Sequence, residues 1–306
     1  MIRILLSRAL QRRQALDLRD TDAARLVDGT GDGLPGIWID GYGRRWLVQT
    51  RDRTGYPDEL RGFVSRLCGC GAIYWKRLDQ EVKEAPAWIE GERVDEPFLV
   101  RENGLSFEID FAAGYSQGIF LDQRDNRSRV RERIGEGMSL LNCFAYTCAF
   151  SVAAAAAGTA TVNVDLSGNY LEWGRRNFAH NDLDASAHEF LKGDVFEWLR
   201  RLGRKGRRFD GVVLDPPTFS RGIKGKVFQV EKHFDRLVEA ALPVVSPGGW
   251  LLCTTNCRAL PADRFRSLIE DGASAQGAKI ALKRLPMPPD FTGEPYLKAF
   301  WVRVAG

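Results

Sequence analysis

Between residues 139 and 272 short apolar runs alternate with amphipathic runs five times, and this alternation constrains the fold more than any other property of the sequence. SLLNCF precedes the Ala-rich SVAAAAAG, TVNVD precedes GNYLEWGRRNFAHN, and EFLKGD precedes VFEWLRRL. FDGVVLD then precedes VEKHFDRLVEAALPVV, and GWLLCTT precedes ADRFRSLIEDG. Strand-helix units in series lay their strands parallel, with helices on both faces. The tail breaks the rhythm. KIALKRL and YLKAFWVRV are consecutive strands joined by PMPPDFTGEP, a connection too short for a parallel crossover, so the sheet is expected to finish in an antiparallel hairpin.

The first hundred residues read differently. An amphipathic helix, MIRILLSRALQRR, leads into short strands at GIWID, RWLVQT and AIYWKR, with a further helix expected at PDELRGFVSRL. We therefore expect a small α/β domain over residues 1–105 and a larger α/β domain over 106–306. The segment 107–127 leads into the second domain through an Arg-rich helix, RSRVRERI.

Composition sets limits on the class of protein. With 44% hydrophobic and 27% charged residues, the chain has the make-up of an ordinary soluble protein. No stretch approaches 18 uninterrupted apolar residues, and the leading helix carries Arg3, Arg8, Arg12 and Arg13, so neither a membrane span nor a signal peptide is expected and a cytoplasmic location is. The net charge of +4 is too small to name an anionic partner. Basic residues do cluster, at QRDNRSRVRER and at RRLGRKGRR, where Arg200, Arg201, Arg204, Lys205, Arg207 and Arg208 form either a solvated face or a phosphate-tracking surface.

Six cysteines, at 68, 70, 143, 148, 253 and 257, include no CxxC spacing and read as reduced thiols. Cys68 and Cys70 have no second His or Cys pair to share a metal with, so no metal site is assigned. The GxGxxG match at Gly31, Gly33 and Gly36 contains Pro35 and precedes a strand, so it reads as a turn rather than a phosphate cradle.

Open α/β sheets bind ligands outside the carboxyl ends of their strands. Asp165 ends TVNVD, one strand after the turn NCFAYTCAF; its carboxylate suits the hydroxyls of an adenosine ribose, or else caps the helix starting near Gly168, a role Ser167 also fits. Asp194 ends EFLKGD and suits either an adenine amino group or the cap of the next helix. LDPPTFSRG ends its strand on Asp215, because the adjacent Pro216 and Pro217 cannot continue a strand interior. Proline carbonyls in a fixed loop accept from a base amino group, and Phe219 can stack on an extruded base. The plainer reading is a proline turn with a buried phenylalanine.

A mostly parallel sheet closed by an antiparallel hairpin is the layout of class I S-adenosylmethionine (SAM) methyltransferases, whose sheet is Rossmann-like and seven-stranded. The motifs DGLPGIWID, GIFLDQRDNR, LLNCFAYT, VDLSGNYLEWGRRN, FDGVVLDPPTFS, SPGGW and DFTGEPYLK, spread over residues 32–306, resemble a more specific group. These are the bacterial large-subunit ribosomal RNA methyltransferases, which include the 23S rRNA cytosine-C5 enzyme and the guanine-N7 half of a fused two-activity enzyme. VDLSGNYLEWGRRN and DPPTFS are similar to the guanine-N7 branch, and GIFLDQRDNR is similar to the cytosine branch.

The resemblance implies SAM as cofactor and RNA as partner, either 23S rRNA or a large-subunit precursor, and leaves a homodimer open. It implies that Asp165 binds the SAM ribose, that Asp194 sits near adenine, that Asp215 lies at the methionine and methyl end, and that Gln123 and Arg124 border the pocket. Asn142, Phe144, Tyr146, Thr147, Leu166, Ser167 and Val195 complete the expected cofactor-binding set.

Three departures bear on function. Cys148 and Ala149 stand where the family places glycines that allow close backbone approach, an exchange expected to tighten the methionine pocket or weaken SAM binding. Counting from Gly249, the nucleophilic cysteine of the cytosine branch falls on Asn256, with Cys257 one residue later. Cytosine-C5 methylation requires a thiolate that adds to C6, so Cys257 would have to be exposed and activated. Guanine N7 already carries a lone pair and needs only proximity and desolvation, and Asn256 agrees with that branch. Finally, the PUA and THUMP modules of typical members have no counterpart, and the chain is expected to start at the small α/β domain. Two other readings stay in play: a catalytically silent RNA-binding protein on this scaffold, and a DNA base methyltransferase. A nicotinamide oxidoreductase lacks a correctly placed glycine fingerprint.

Overall fold

A computed structural model describes residues 1–18, 20–51, 55–62, 66, 71–79, 84–221 and 227–306. The chain divides into two compact units: Met1–Arg124 with Pro288–Pro295, and Asp125–Met287 with Tyr296–Gly306.

The first unit opens with helix α1 (Ile2–Gln14), followed by strands β1 (Ala23–Asp28), β2 (Ile37–Tyr42), β3 (Arg45–Thr50), β4 (Ala72–Arg77) and β5 (Ala87–Gly91). These strands form one sheet in the order β1-β2-β3-β4-β5, parallel between β3 and β4 and antiparallel elsewhere. A separate hairpin joins β6 (Phe98–Glu102) to β7 (Leu105–Ile109). Leu6 and Ala9 of α1 pack into a core with Val27, Ile37, Ile39, Val48 and Ile73, as the amphipathic reading requires. Arg13 does not follow that reading. It is 4% exposed and binds both carboxylate oxygens of Asp32, at 2.6 and 2.7 Å.

The GTGDG stretch is a turn, as expected, forming a short 3-10 helix at Gly29–Asp32. Asp58–Leu60 at the start of PDELRGFVSRL forms a 3-10 turn and Arg66 is helical, while most of the remaining expected helix lies outside the described residues, as do Cys68 and Cys70.

The division between units differs from the expected boundary at residue 105. Strand β7 pairs with β6, Phe111 packs on the rings of Tyr42, Tyr74 and Phe98, and Lys76 Nζ donates to Tyr115 O and Gln117 Oε1, so residues up to 124 belong to the first unit. The segment PPDFTGEP also belongs there. Asp290 is fully buried and accepts from Arg124 at 2.6 and 3.0 Å and from the Arg25 backbone N–H at 2.9 Å.

Helix α2 (Arg124–Arg133) leads into the second unit. There β8 (Ser139–Cys143), α3 (Ala149–Ala155), β9 (Ala160–Asp165), α4 (Gly168–Ala179), β10 (Glu189–Lys192), α5 (Val195–Arg204) and β11 (Phe209–Leu214) alternate as the sequence requires. A short hairpin, β12 (Phe219–Arg221) with β13 (Val227–Gln229), precedes α6 (Val230–Ala241). The chain continues through β14 (Val245–Thr255), α7 (Ala262–Ala275), β15 (Ile280–Leu285) and β16 (Lys298–Val304).

The seven-stranded sheet runs β10-β9-β8-β11-β14-β16-β15. It is parallel from β10 to β14, with β16 antiparallel to both β14 and β15. The class I layout is thus observed in full. Gly211 in the middle of β11 has a packing reason: the Trp250 indole covers it so closely that a Cβ there would meet the ring at 2.2 Å. Among the described residues, no helix is long and apolar enough to cross a membrane.

Candidate cofactor site at the sheet switch point

Strand order reverses between β8 and β11, where open α/β sheets bind their ligands. Registers bring the carboxyl ends into line: Cys143 opposes Val164 on one side and Leu214 on the other, and Leu214 opposes Cys253. Phe144, Asp165, Asp215 and Thr254 therefore all emerge on one rim of the second unit.

Asp165 organises that rim. Its Oδ2 accepts the Tyr146 N–H at 2.9 Å and its Oδ1 accepts the Ser167 N–H at 2.8 Å. A carboxylate offers about four lone-pair sites, so acceptor capacity remains for hydroxyl donors. Burial pushes its pKa above the usual carboxylate value, against the lowering pull of the Ser167, Tyr146 and Leu166 N–H groups. The capping role falls to Ser167, whose hydroxyl accepts the Tyr170 N–H at the start of α4. Asp194 does cap its helix, accepting the Glu197 N–H at 3.1 Å ahead of the buried Val195.

The loop after β8 is strained in a regular way. Phe144, Tyr146 and Cys148, none of them glycine, take left-handed φ values of +58°, +49° and +61°. Each such residue costs ~1–3 kcal/mol and persists where its surroundings over-determine it. The surroundings here are explicit: the Ala145 N–H is held by Val164 O, Tyr146 by Asp165, the Cys148 N–H by Ala145 O, and Thr147 O by the buried Asn177 side chain at 2.9 Å. Asn142, buried below the loop, donates to Ser151 Oγ.

On the other side of the switch point Asp215 is half-buried and accepts the Thr254 hydroxyl, Pro216 is buried, and Pro217 and Thr218 are exposed. Phe219 is 49% exposed, which rules out the plainer reading of a buried phenylalanine. Thr218 Oγ1 donates to Asn256 Oδ1 at 3.0 Å across the exposed surface. Cys257, by contrast, is 3% exposed, and its thiol donates to Glu231 Oε1 at 3.2 Å. Burial, and then the Glu231 carboxylate, push its pKa up.

Within the second unit Phe144, Tyr146, Thr147, Asp165, Leu166, Ser167 and Asp215 lie at or after the carboxyl ends of β8, β9 and β11, with Asn142 buried within β8 and Asp194 and Val195 after β10. Gln123 and Arg124 lie in the first unit, both buried, with the Arg124 guanidinium committed to Asp290. Residues that sequence reasoning passed over are Asn177, Thr254 and Glu231. Asn177 sits inside the VDLSGNYLEWGRRN motif, which was its one available signal.

Residues 74–300 match the family described as S-adenosylmethionine-dependent methyltransferase. The chain belongs to that family. It is therefore a SAM-dependent methyltransferase, and SAM is its cofactor. YwbD of Bacillus subtilis (strain 168), provisionally named a ribosomal RNA large subunit methyltransferase, is 33% identical over 94% of this chain and 74% of its own. Ribosomal RNA large subunit methyltransferase I of Shewanella denitrificans is 35% identical over 81% of this chain and 64% of its own. Among solved structures, SMU.776, provisionally named a methyltransferase and complexed with SAH, superposes with a TM-score of 0.89 at 30% identity, covering 99% of this chain and 80% of that one.

The residues on the rim fit the cofactor. Asp165 keeps acceptor capacity at the place where ribose hydroxyls would donate. When bound, SAM supplies a sulfonium-activated methyl group for displacement by a nucleophile.

Proposed function

We propose that this methyltransferase acts on a base of large-subunit ribosomal RNA, on the 23S molecule or its precursor, and that guanine N7 is the target rather than cytosine C5. The names of the relatives support the RNA class. One observation carries the choice of base: Cys257 is buried, hydrogen-bonded to a carboxylate and biased toward the neutral thiol, the opposite of what C6 addition demands. The exposed position beside it belongs to Asn256, which has no nucleophile to offer.

In this reading Asp165, Leu166 and Ser167 hold the ribose, and Asp194 and Val195 border the adenine. The 144–147 loop, supported from below by Asn142, holds the methionine end. Asp215, Pro216 and Pro217 form a fixed wall at the methyl group. Phe219 stacks on the target base, and the Thr218–Asn256 pair lies beside it. N7 attacks with its own lone pair, so these residues have to orient the base and exclude water, and no proton has to be removed. Action on ribosomal RNA agrees with a cytoplasmic protein, and a homodimer would double the RNA-facing surface.

Nucleoside mass spectrometry of ribosomal RNA, with and without the gene, tests this reading. Loss of a single 7-methylguanosine is expected. Loss of a 5-methylcytidine, or a covalent adduct with RNA containing 5-fluorocytidine, would make Cys257 the nucleophile and the guanine assignment wrong.

A further inference from the structure

Cys148 and Gly174 are a matched pair. The Cys148 side chain is fully buried and lies against α4, where a Cβ added at Gly174 would meet its Sγ at 2.4 Å and its Cβ at 2.9 Å. Real Cβ contacts essentially never come that close, so any larger residue at 174 displaces the cysteine. The cysteine's backbone is held in place. It holds a left-handed φ of +61°, its N–H is bonded to Ala145 O, and its own carbonyl accepts the Val152 N–H that starts α3. Its neighbours are the cofactor-facing residues themselves: Tyr146, bonded to Asp165, and Thr147, whose carbonyl is held by Asn177 three residues along from Gly174.

We infer that Gly174 is a positioning residue for the SAM loop: by leaving out a side chain on α4, it lets Cys148 stand at a glycine-type backbone position without entering the cofactor pocket. A side chain with no solvent exposure cannot line an open pocket, so the bulk at 148 is absorbed on the helix side of the loop. Gly174 itself lowers the helix propensity of α4 relative to Ala, a cost that this fit explains. The inference rests on the reading that the 144–148 loop and Asp165 bind SAM, and it deepens that reading by naming what sets the loop's geometry.

A double-mutant cycle tests it, using Gly174→Ala, Cys148→Gly and the two together in the full-length protein. Each variant is measured for SAM affinity by calorimetry, for the KM for SAM against kcat, and for thermal stability. Gly174→Ala is expected to weaken SAM binding about tenfold, ~1.4 kcal/mol, with the change in KM rather than in kcat. Adding Cys148→Gly is expected to restore most of that affinity, a coupling that independent sites do not show. SAM affinity unchanged in Gly174→Ala, or a double variant no better than Gly174→Ala, overturns the inference. Should Gly174→Ala be too unstable to assay, the thermal midpoint of the double variant decides: recovery above the single variant supports the pairing, and no recovery overturns it. Asp165→Ala serves as the separate control. If that variant still binds SAM normally, the reading of the loop fails whatever the cycle shows.

Discussion

The Cys257 thiol donates to Glu231 Oε1 across 3.2 Å, joining the loop after β14 to the first turn of α6. Burial and the neighbouring carboxylate both disfavour the thiolate, so the folded protein holds the proton to a higher pH than an ordinary cysteine does. Alkylation of Cys257 by iodoacetamide should therefore be slow at neutral pH and rise only at a pH above that of the unfolded chain, followed residue by residue by mass spectrometry. Glu231→Gln removes the carboxylate charge beside the thiol and should move the profile part of the way back. Rapid alkylation of the native protein at pH 7 would contradict this.

Asp165 gives a pH dependence on the acid side. Its carboxyl is raised by burial, and only the ionised form accepts two ribose hydroxyls while keeping its backbone partners. SAM affinity should be flat at neutral pH and fall as pH drops through the raised value, by about tenfold per unit at the limit, because binding then requires release of one proton. Asp165→Asn should flatten that dependence and weaken binding by about 10- to 100-fold, the ~1.5–3 kcal/mol of a hydrogen bond to a charged group. Calorimetry across pH measures both.

Asp290 ties the inserted segment to the first unit through Arg124 and the Arg25 N–H, with no solvent exposure. Removing one partner of a buried pair strands the other, at about 3–5 kcal/mol. Asp290→Ala should thus lower the stability of the first unit by that amount in urea unfolding followed by tryptophan fluorescence. Removing Arg124 as well should cost less than the sum of the single changes.

Gly211→Ala should cost about 1–3 kcal/mol by overpacking against the Trp250 indole. A thermal shift series that includes Trp250→Leu checks the mechanism, since the alanine should be tolerated better once the ring is gone.

The seven-stranded sheet was legible because its signals are local: a period of two, a helix cap at Ser167 or Asp194, a pair of prolines at 216 and 217. The strand-end acids followed from the same pattern, and the structure sets them on one rim. What escaped notice depended on partners far away in sequence. Arg13 looked like a solvent-facing cation on α1, yet it reaches Asp32 nineteen residues on and the Asp290 carbonyl 277 residues on. Nothing near Cys257 announced that Glu231 would cover it. The boundary at residue 105 was misplaced for a like reason, because β7 reads as the start of the next domain until its pairing with β6 is seen.

The return of Pro288–Pro295 to the first unit governs the order in which that unit can be completed during synthesis. A ribosome translates from the amino terminus, so Arg124 emerges 166 residues before the carboxylate that will neutralise it. Until then its guanidinium must remain hydrated, and the site awaiting Asp290 must remain open. The amino-terminal unit is thus among the last parts of the chain to close. A nascent chain halted before residue 290 should stay sensitive to protease there, however complete its early strands are.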